Sequence, residues 1–391
     1  MKILFVGQNL QMGGIQKALV NTLKVLNKED KYEIDVFLFG DGPLSEEIPK
    51  NINVYYGSLL LRLIATPFSI IKEQGNILHI FLRLICMILV RIIGTENFYR
   101  IIFKMQKKLD GYDIAISYFN DVQNSYFNRG TNLFVTEFLD AKRKIAWIHT
   151  DPIKAGFEYE TSLKVYKNFN KIVCVSNACR KKFIKLIPEF ENKTEVVYNF
   201  FPIDEITSKA NEYSPFEKKE ISVISVGRID NQTKRFHIIP QLCKMLKDQS
   251  ITNFKWRIVG DGPDLKSNQQ LVEKLGVTEI VEFVGEEINP YPYIKKSDIF
   301  VLTSAYEGYP MVVGEALILG TPILSTRYTA VNEQIVENYN GIITEMDIEN
   351  IYSALKDILE NPERIELMQQ NNRTRGFSNN NAMRQFLEVV Q

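Results

Sequence analysis

Two glutamates separated by seven residues are the first candidates for chemistry. Glu307 lies in the segment Ser304–Pro310, directly after the apolar run Ile299–Leu302, and Glu315 is the only charged residue of the otherwise apolar stretch Met311–Leu319. A helix that is apolar on every side is buried, and a buried carboxylate is costly without a partner. The hydroxyl groups of a ribose would satisfy Glu315. The alternative is a partner from a neighbouring segment of the chain.

Two cations follow the apolar run Ile221–Val226 and suit a diphosphate. Arg228 supplies a planar fork of donors and Lys234 a point charge. A glycine-rich loop containing Gly260 and Gly262 follows the next strand. Parallel sheets bind ligands beyond the carboxyl ends of their strands, so these loops should meet Glu307 at one edge. The alternative is that both cations are simply exposed surface charges.

The helix that begins near Pro310 would add amide groups and the positive end of its dipole to this edge. Proline suits the first turn of a helix because it needs no amide donor there. Four residues that lead into this helix are therefore predicted to contact the donor nucleotide: Gly308, Tyr309, Pro310 and Met311.

Short apolar runs alternate with amphipathic stretches along the whole chain, which predicts parallel sheets covered by helices on both faces. The runs of the first half are Ile3–Val6, Ile34–Leu38, Ile114–Ser117, Lys144–Ile148, Ile172–Val175 and Val196–Tyr198. Those of the second half are Ile221–Val226, Trp256–Val259, Val281–Val284, Ile299–Leu302 and Ile323–Ser325. Two such series predict an α/β protein with two Rossmann-like, doubly wound domains.

The chain of 391 residues is long enough for two cores. We predict one domain over residues 1–199 and a second over 200–379, with the final helix at 380–391 packing back on the first. The polar stretch from Asn199 to about Lys219, with Pro202 and Pro215, would connect them.

The composition of the chain bears on its partners and on its compartment. Lys plus Arg and Asp plus Glu both number 47, and this balance argues against nucleic acid as a partner. None of the four cysteines lies in a CxxC pair or at the spacing of a zinc site, so we expect buried thiols in a reducing compartment. The apolar run after Met1 is too short for a signal peptide, and we expect the cytoplasm.

One segment departs from the balanced charge. Residues 59–108 contain eight basic and two acidic residues, a net charge of +6. Their apolar run from Leu84 to Val90 is much shorter than the roughly 18 residues that span a bilayer. Either basic amphipathic helices lie on an anionic membrane surface, or two helices pack on the first sheet with a solvated basic face.

Taken together, these motifs resemble those of the family-4 retaining glycosyltransferases of the GT-B fold, of the kind that builds bacterial surface polysaccharides. Glu307 and Glu315 match the E-x7-E element, Arg228 and Lys234 the GR…K element, and Val259–Pro263 the VGDGP loop. In the first half, Gly13-Gly14 matches the glycine loop and His149 the histidine on the sugar side.

The resemblance implies two Rossmann-like domains that face each other across a cleft, and it implies a role for each matched residue. Glu315 would bind the donor ribose and Glu307 the transferred sugar. Arg228 and Lys234 would neutralise the departing diphosphate. Gly13 and Gly14 would let backbone amides approach the phosphate and the acceptor, and His149 would bind a hydroxyl of the donor sugar.

The resemblance further implies transfer of a hexose or N-acetylhexosamine from a nucleotide sugar, usually a UDP-sugar, to a saccharide acceptor. The basic stretch at residues 59–108, in the acceptor-side domain, fits an acceptor held at a membrane, such as a lipid-linked saccharide in surface polysaccharide assembly. The sequence contains no D-x-D motif for holding a metal ion, so we expect neither metal nor cofactor. With a lipid-linked acceptor, the protein would lie on the inner face of the cell membrane.

Three other functions fit parts of the pattern. A dehydrogenase would share the two Rossmann-like domains, but neither Gly7 nor Gly260 begins a GxGxxG motif. A sugar-nucleotide 2-epimerase would share the fold, although the E-x7-E and GR…K elements favour transfer. A non-catalytic subunit that binds sugar nucleotides is the third alternative.

Overall fold

The strands of the chain form two separate parallel sheets in the computed structural model, which describes residues 1–121, 125–127 and 129–391. One compact unit contains Met1–Phe200 together with Asn380–Gln391, and the other contains Phe201–Asn379. We call them the first and the second unit.

The sheet of the first unit has seven strands among the described residues, in the order β3-β2-β1-β4-β5-β6-β7. The strands are β1 Lys2–Gly7, β2 Glu33–Leu38, β3 Asn53–Tyr56, β4 Tyr112–Ser117, β5 Ala141–Ile148, β6 Lys171–Cys174 and β7 Thr194–Val196. The order reverses between β1 and β4, and such a switch point opens a crevice at the carboxyl ends of the two strands.

Helices cover this sheet on both faces. They are α1 Gly14–Leu26, α2 Leu59–Ala65, α3 Phe68–Glu73, α4 Ile77–Ile93, α5 Thr95–Phe103, α6 Thr131–Glu137, α7 Tyr159–Tyr166 and α8 Asn177–Leu186, with 3-10 helices at Pro43–Glu47 and Pro188–Lys193. β1 is buried almost throughout because it runs through the centre of the sheet with helices on either side.

The second unit repeats the scheme with the strand order β10-β9-β8-β11-β12-β13. Its strands are β8 Ile221–Val226, β9 Phe254–Val259, β10 Val281–Gly285, β11 Ile299–Leu302, β12 Ile323–Thr326 and β13 Gly341–Thr344. Its helices are α9 Ile203–Lys209, α10 Ile238–Asp248, α11 Leu265–Leu275, α12 Tyr291–Lys296, α13 Met311–Ile318, α14 Val331–Gln334, α15 Ile348–Glu360 and α16 Pro362–Arg375. Here the switch point lies between β8 and β11.

The last helix, α17 Asn380–Val390, belongs to the first unit. Phe386 is fully buried and its ring contacts those of Trp147 and Phe200. The Arg143 guanidinium donates hydrogen bonds to the carbonyl oxygens of Val389 and Val390, at 2.8 and 2.9 Å. These bonds satisfy carbonyls that a helix end leaves without partners.

The predicted fold class is confirmed, since both units are doubly wound parallel α/β structures. The four cysteines are free and buried, as predicted. Three details differ from the sequence-based expectation. Strands β3 and β13 were not predicted, the predicted connection contains helix α9, and residues 59–108 fold into four helices rather than two.

Candidate active site

The loops that follow β8 and β9 interlock at the edge of the second sheet. The amide of Gly227 donates to the carbonyl oxygen of Val259 at 3.0 Å, and the amide of Ile229 to that of Asp261 at 2.8 Å. Gly260 has a φ of +141°, and a Cβ atom on it would lie 2.1 Å from the Gly227 oxygen. Glycine is required at this position because the two backbones touch.

Gly262 makes the same kind of approach, since a Cβ atom there would lie 2.3 Å from the backbone oxygen of Ile229. The structure therefore gives Gly260 and Gly262 a role in positioning the loop that carries Arg228. Their predicted contact with the donor nucleotide stays a prediction.

Lys234 and Glu307 form an ion pair between the loops after β8 and β11. Both side chains are largely buried, and the Ser304 hydroxyl also donates to Glu307 Oε1 at 2.8 Å. The backbone of Lys234 is fixed as well: its amide donates to the Asp230 carbonyl at 2.8 Å, and its carbonyl accepts from the Thr303 hydroxyl at 2.6 Å. The switch point of the sheet thus brings together two residues that are 73 positions apart.

Arg228 is far more exposed, with 69% of its side chain accessible. It forms an ion pair with Asp230 at 3.0 Å. One oxygen of Asp230 also accepts from the amides of Gln232 and Thr233, at 3.0 and 3.3 Å, and so shapes the loop. Asp230 was not predicted from the sequence. Its spacing of two from Arg228 in a loop was a usable signal.

Glu315 lies on α13 and is buried, with 4% of its surface accessible. The hydroxyl of Tyr291, on α12, donates to Glu315 Oε1 at 3.3 Å. A neighbouring segment therefore supplies at least one partner, which was the alternative to a ribose. The contact of Glu315 with a ribose stays a prediction.

The residues that lead into α13 lie where the sequence placed them, with one difference. Pro310 directly precedes the helix, which begins at Met311. The carbonyl oxygen of Pro310 accepts from the Gln334 side chain at 3.1 Å. Gly308 and Tyr309 belong to the loop between β11 and α13. The amino end of α13 therefore faces the same sheet edge as Arg228 and Lys234.

In the first unit, Gly13 precedes α1 and Gly14 begins it, after the loop that follows β1. A Cβ atom on Gly14 would meet no atom within 4 Å. The protein itself leaves this position open, so the predicted approach of a ligand is sterically free. This space lies at the carboxyl end of β1, next to the switch point of the first sheet.

His149 follows the last residue of β5 and is held by the loop after β4. Its amide donates to Asn120 Oδ1 at 2.8 Å, and its ring lies 4.5 Å from that of Tyr118, centroid to centroid. Burial lowers the pKa of His149 to about 3, so the imidazole is neutral at neutral pH. Its Nε2 has no hydrogen-bond partner within the described part of the chain. A neutral imidazole with an unused nitrogen suits a hydroxyl group.

Part of the second half of the chain matches a known protein family. Residues 207–375 match the family model described as glycosyl transferases group 1. An uncharacterized glycosyltransferase of Methanocaldococcus jannaschii is 32% identical over 196 residues, which are 46% of this chain and 47% of that protein.

Two further relatives have more specific names. The N-acetylgalactosamine-N,N'-diacetylbacillosaminyl-diphospho-undecaprenol 4-alpha-N-acetylgalactosaminyltransferase of Campylobacter jejuni is 29% identical over 43% of this chain and 45% of its own length. The capsular polysaccharide biosynthesis glycosyltransferase CapH of Staphylococcus aureus is 24% identical over 81% of this chain and 78% of its own. The match spans about half the length of the first two relatives.

Solved structures resemble the chain over nearly its whole length. Anabaena HepE in complex with UDP-glucose has a TM-score of 0.71 at 17% identity, covering 100% of this chain and 99% of that one. A mutant of S. aureus TarM in complex with UDP has a TM-score of 0.72 at 14% identity, covering 100% of both chains. At these identities the likeness shows the fold, which is GT-B. The resemblance predicted from the sequence is confirmed.

Proposed function

Because residues 207–375 match the family model of the group 1 glycosyl transferases and the chain has the GT-B fold, we propose that the protein is a retaining, metal-independent glycosyltransferase. Its donor is a nucleotide sugar, in our proposal a UDP-sugar carrying a hexose or N-acetylhexosamine. Its acceptor is a saccharide in the synthesis of a surface polysaccharide.

One observation carries this proposal: Lys234 pairs with Glu307 at the switch point of the second sheet, and the loop that holds Lys234 also holds Arg228. Lys234 contacts Glu307 directly, and Arg228 projects into solvent from the same loop. When a glycosyl diphosphate breaks, negative charge develops on the departing phosphate. Fixed cations and helix amides stabilise such charge, and each charged hydrogen bond contributes about 1.5–3 kcal/mol.

The other residues take the roles that their positions favour. Glu315 binds the ribose from the first turns of α13, and Gly308 to Met311 contact the nucleotide. Glu307 binds hydroxyls of the transferred sugar once Lys234 turns to the phosphate. In the first unit His149 accepts a hydrogen bond from a sugar hydroxyl, and Gly14 leaves room for the acceptor beside the backbone amides of Gly13 and Gly14. The departing phosphate then helps to remove the acceptor proton on the same face, so that the anomeric configuration is retained.

We propose a lipid-linked acceptor because of the similarity to two relatives. The name of the C. jejuni relative specifies a diphospho-undecaprenol-linked saccharide, and CapH is named for capsular polysaccharide biosynthesis. UDP as the nucleotide rests on the UDP complexes of the structural relatives.

The experiment is a donor panel of UDP- and GDP-sugars with nucleotide release as the signal, with and without excess EDTA. We expect release from one donor, unchanged by EDTA, and a loss of at least about a hundredfold in Glu307→Ala and Arg228→Ala. Full activity in both variants would refute the site. NMR analysis of the sugar product separates transfer with retention from 2-epimerisation. Tight nucleotide binding without turnover on any acceptor would favour the non-catalytic subunit.

A further inference from the structure

Helix α4 exposes a row of apolar side chains to solvent and buries an arginine. Its inner side buries Arg83, Cys86 and Val90 against the core of the first unit. Its outer side exposes a row of large apolar side chains, which we call the α4 face: Ile77, Leu78, Phe81, Leu84, Ile88 and Ile92. At about 100° per residue these six positions span an arc of roughly 120° opposite the buried stripe.

The exposure of the α4 face is large for each of its members. Ile77 is 81% accessible, Ile92 73%, Phe81 58% and Ile88 55%. Single exposed apolar residues are ordinary on a protein surface, but a contiguous apolar patch marks a site of interaction. The 17 residues of α4 make the patch about 25 Å long.

The inner side of α4 is packed inside the first unit. Cys86 and Val90 belong to its hydrophobic core, and the Arg83 guanidinium lies 3.8 Å from the ring centroid of Phe127. Turning the helix to bury its apolar face would expose Cys86 and Val90. The outer face is left for a partner.

Charge decides which partner fits. Five exposed cations lie on or next to α3, α4 and α5, and none forms an ion pair with another described residue: Lys72, Arg91, Lys104, Lys107 and Lys108. Arg91 lies on α4 itself, and α4 packs against both α3 and α5, so the segments that carry the other four cations lie on or directly after helices that adjoin α4. An apolar helix face bordered by cations matches the acyl chains and anionic head groups of a bilayer.

A second copy of the chain is the competing occupant. A twofold-symmetric contact places the same patch of both copies against each other. It would bring the flanking cations of one copy towards those of the other, and like charges disfavour such a contact.

We propose that the α4 face is a membrane-docking surface that lies in the plane of an anionic bilayer, with its apolar side chains among the acyl chains. No helix of the described residues is long and apolar enough to cross a membrane, so the contact is peripheral. This inference goes beyond the proposed transfer reaction and does not depend on it.

The test is co-sedimentation of the full chain with vesicles of phosphatidylglycerol or of phosphatidylcholine. The variant Phe81→Glu/Ile88→Glu removes two outward apolar side chains, and burial of each favours the bound state. We expect it to bind phosphatidylglycerol vesicles at least about tenfold more weakly than the wild type. Replacing Lys104 and Lys108 by Gln should weaken binding about fivefold per lysine, on anionic vesicles alone.

A matched control makes the same charge change elsewhere. Ile288 and Leu367 are exposed apolar residues of the second unit, and Ile288→Glu/Leu367→Glu should bind vesicles as the wild type does. Nucleotide release in vesicle-free solution should be unchanged in Phe81→Glu/Ile88→Glu, so that loss of docking is distinguished from loss of the reaction. Wild-type vesicle binding by this variant would overturn the proposal. So would a lack of binding to phosphatidylglycerol, or a dimer that the variant dissociates.

Discussion

Arg228→Gln tests the candidate diphosphate site with little interference from folding. Arg228 is 69% accessible and, among the described residues, forms an ion pair with Asp230 at 3.0 Å. Exposed ion pairs contribute about 0–1 kcal/mol to stability, so the variant should unfold within about 1 kcal/mol of the wild type. Its contact with a diphosphate should be worth about 1.5–3 kcal/mol.

That difference corresponds to a loss in nucleotide affinity of about 10- to 150-fold. We would measure it by calorimetric titration with UDP and GDP, beside urea unfolding of the same samples. UMP, which has one phosphate fewer, should lose less affinity than UDP, because the cation is proposed to bind the second phosphate.

Arg384 offers a matched control in the first unit. It is 64% accessible and pairs with Glu388 at 3.0 Å, so Arg384→Gln makes the same chemical change in the same kind of pair. It should leave UDP affinity unchanged. If Arg228→Gln binds UDP as the wild type does, the proposed role of Arg228 is wrong. If both variants lose affinity equally, the effect is one of total charge and not of this site.

Three further predictions concern single residues. Glu315→Gln keeps an acceptor for Tyr291 but loses its charge, so it should weaken UDP more than 2'-deoxy-UDP; equal weakening of both would argue against ribose binding. Gly260→Ala would place a Cβ atom 2.1 Å from a backbone oxygen of the loop after β8. Urea unfolding should therefore show the second unit destabilised by about 1–3 kcal/mol. Gly14→Ala is the control and should not destabilise the protein, because its new Cβ atom would meet nothing within 4 Å. The pKa of His149 is about 3 in the folded chain against an ordinary 6.5, so its contribution to stability is present above pH 6.5 and lost as the pH falls towards 3. In His149→Gln the unfolding free energy should therefore fall less between pH 7.5 and 5 than in the wild type. Parallel plots of unfolding free energy against pH for the two proteins would contradict this.

The strands that could be predicted from the sequence are those that are buried on both faces of a sheet. Ile221–Val226 and Ile299–Leu302 were predicted with the bounds that the structure has, because central parallel strands are continuous apolar runs. The two unpredicted strands lie at the edges of the sheets. Asn53–Tyr56 is only half-buried and Gly341–Thr344 begins with glycine, so neither has the apolar signal of a central strand.

Part of the site could be predicted from the sequence for a similar reason. Arg228, Lys234 and Glu307 were predicted to meet because the loops at a switch point converge whatever lies between them in sequence. The partners of Arg228 and Glu315 were not predicted. Tyr291 reaches Glu315 from a different helix, and no pattern in the sequence indicates a hydrogen bond between side chains on separate elements.

The paired cations have a consequence for how ligands are selected. Arg228 and Lys234 are each matched by a carboxylate, Asp230 and Glu307, so these four groups present no net charge to an approaching anion. A ligand must compete with both carboxylates at once for the two cations. A diphosphate can do this well, whereas a singly charged ion does it poorly. Long-range attraction is then weak, and nucleotide association should depend little on ionic strength. Discrimination among anions arises on contact, when the internal pairs are exchanged, and not during the approach.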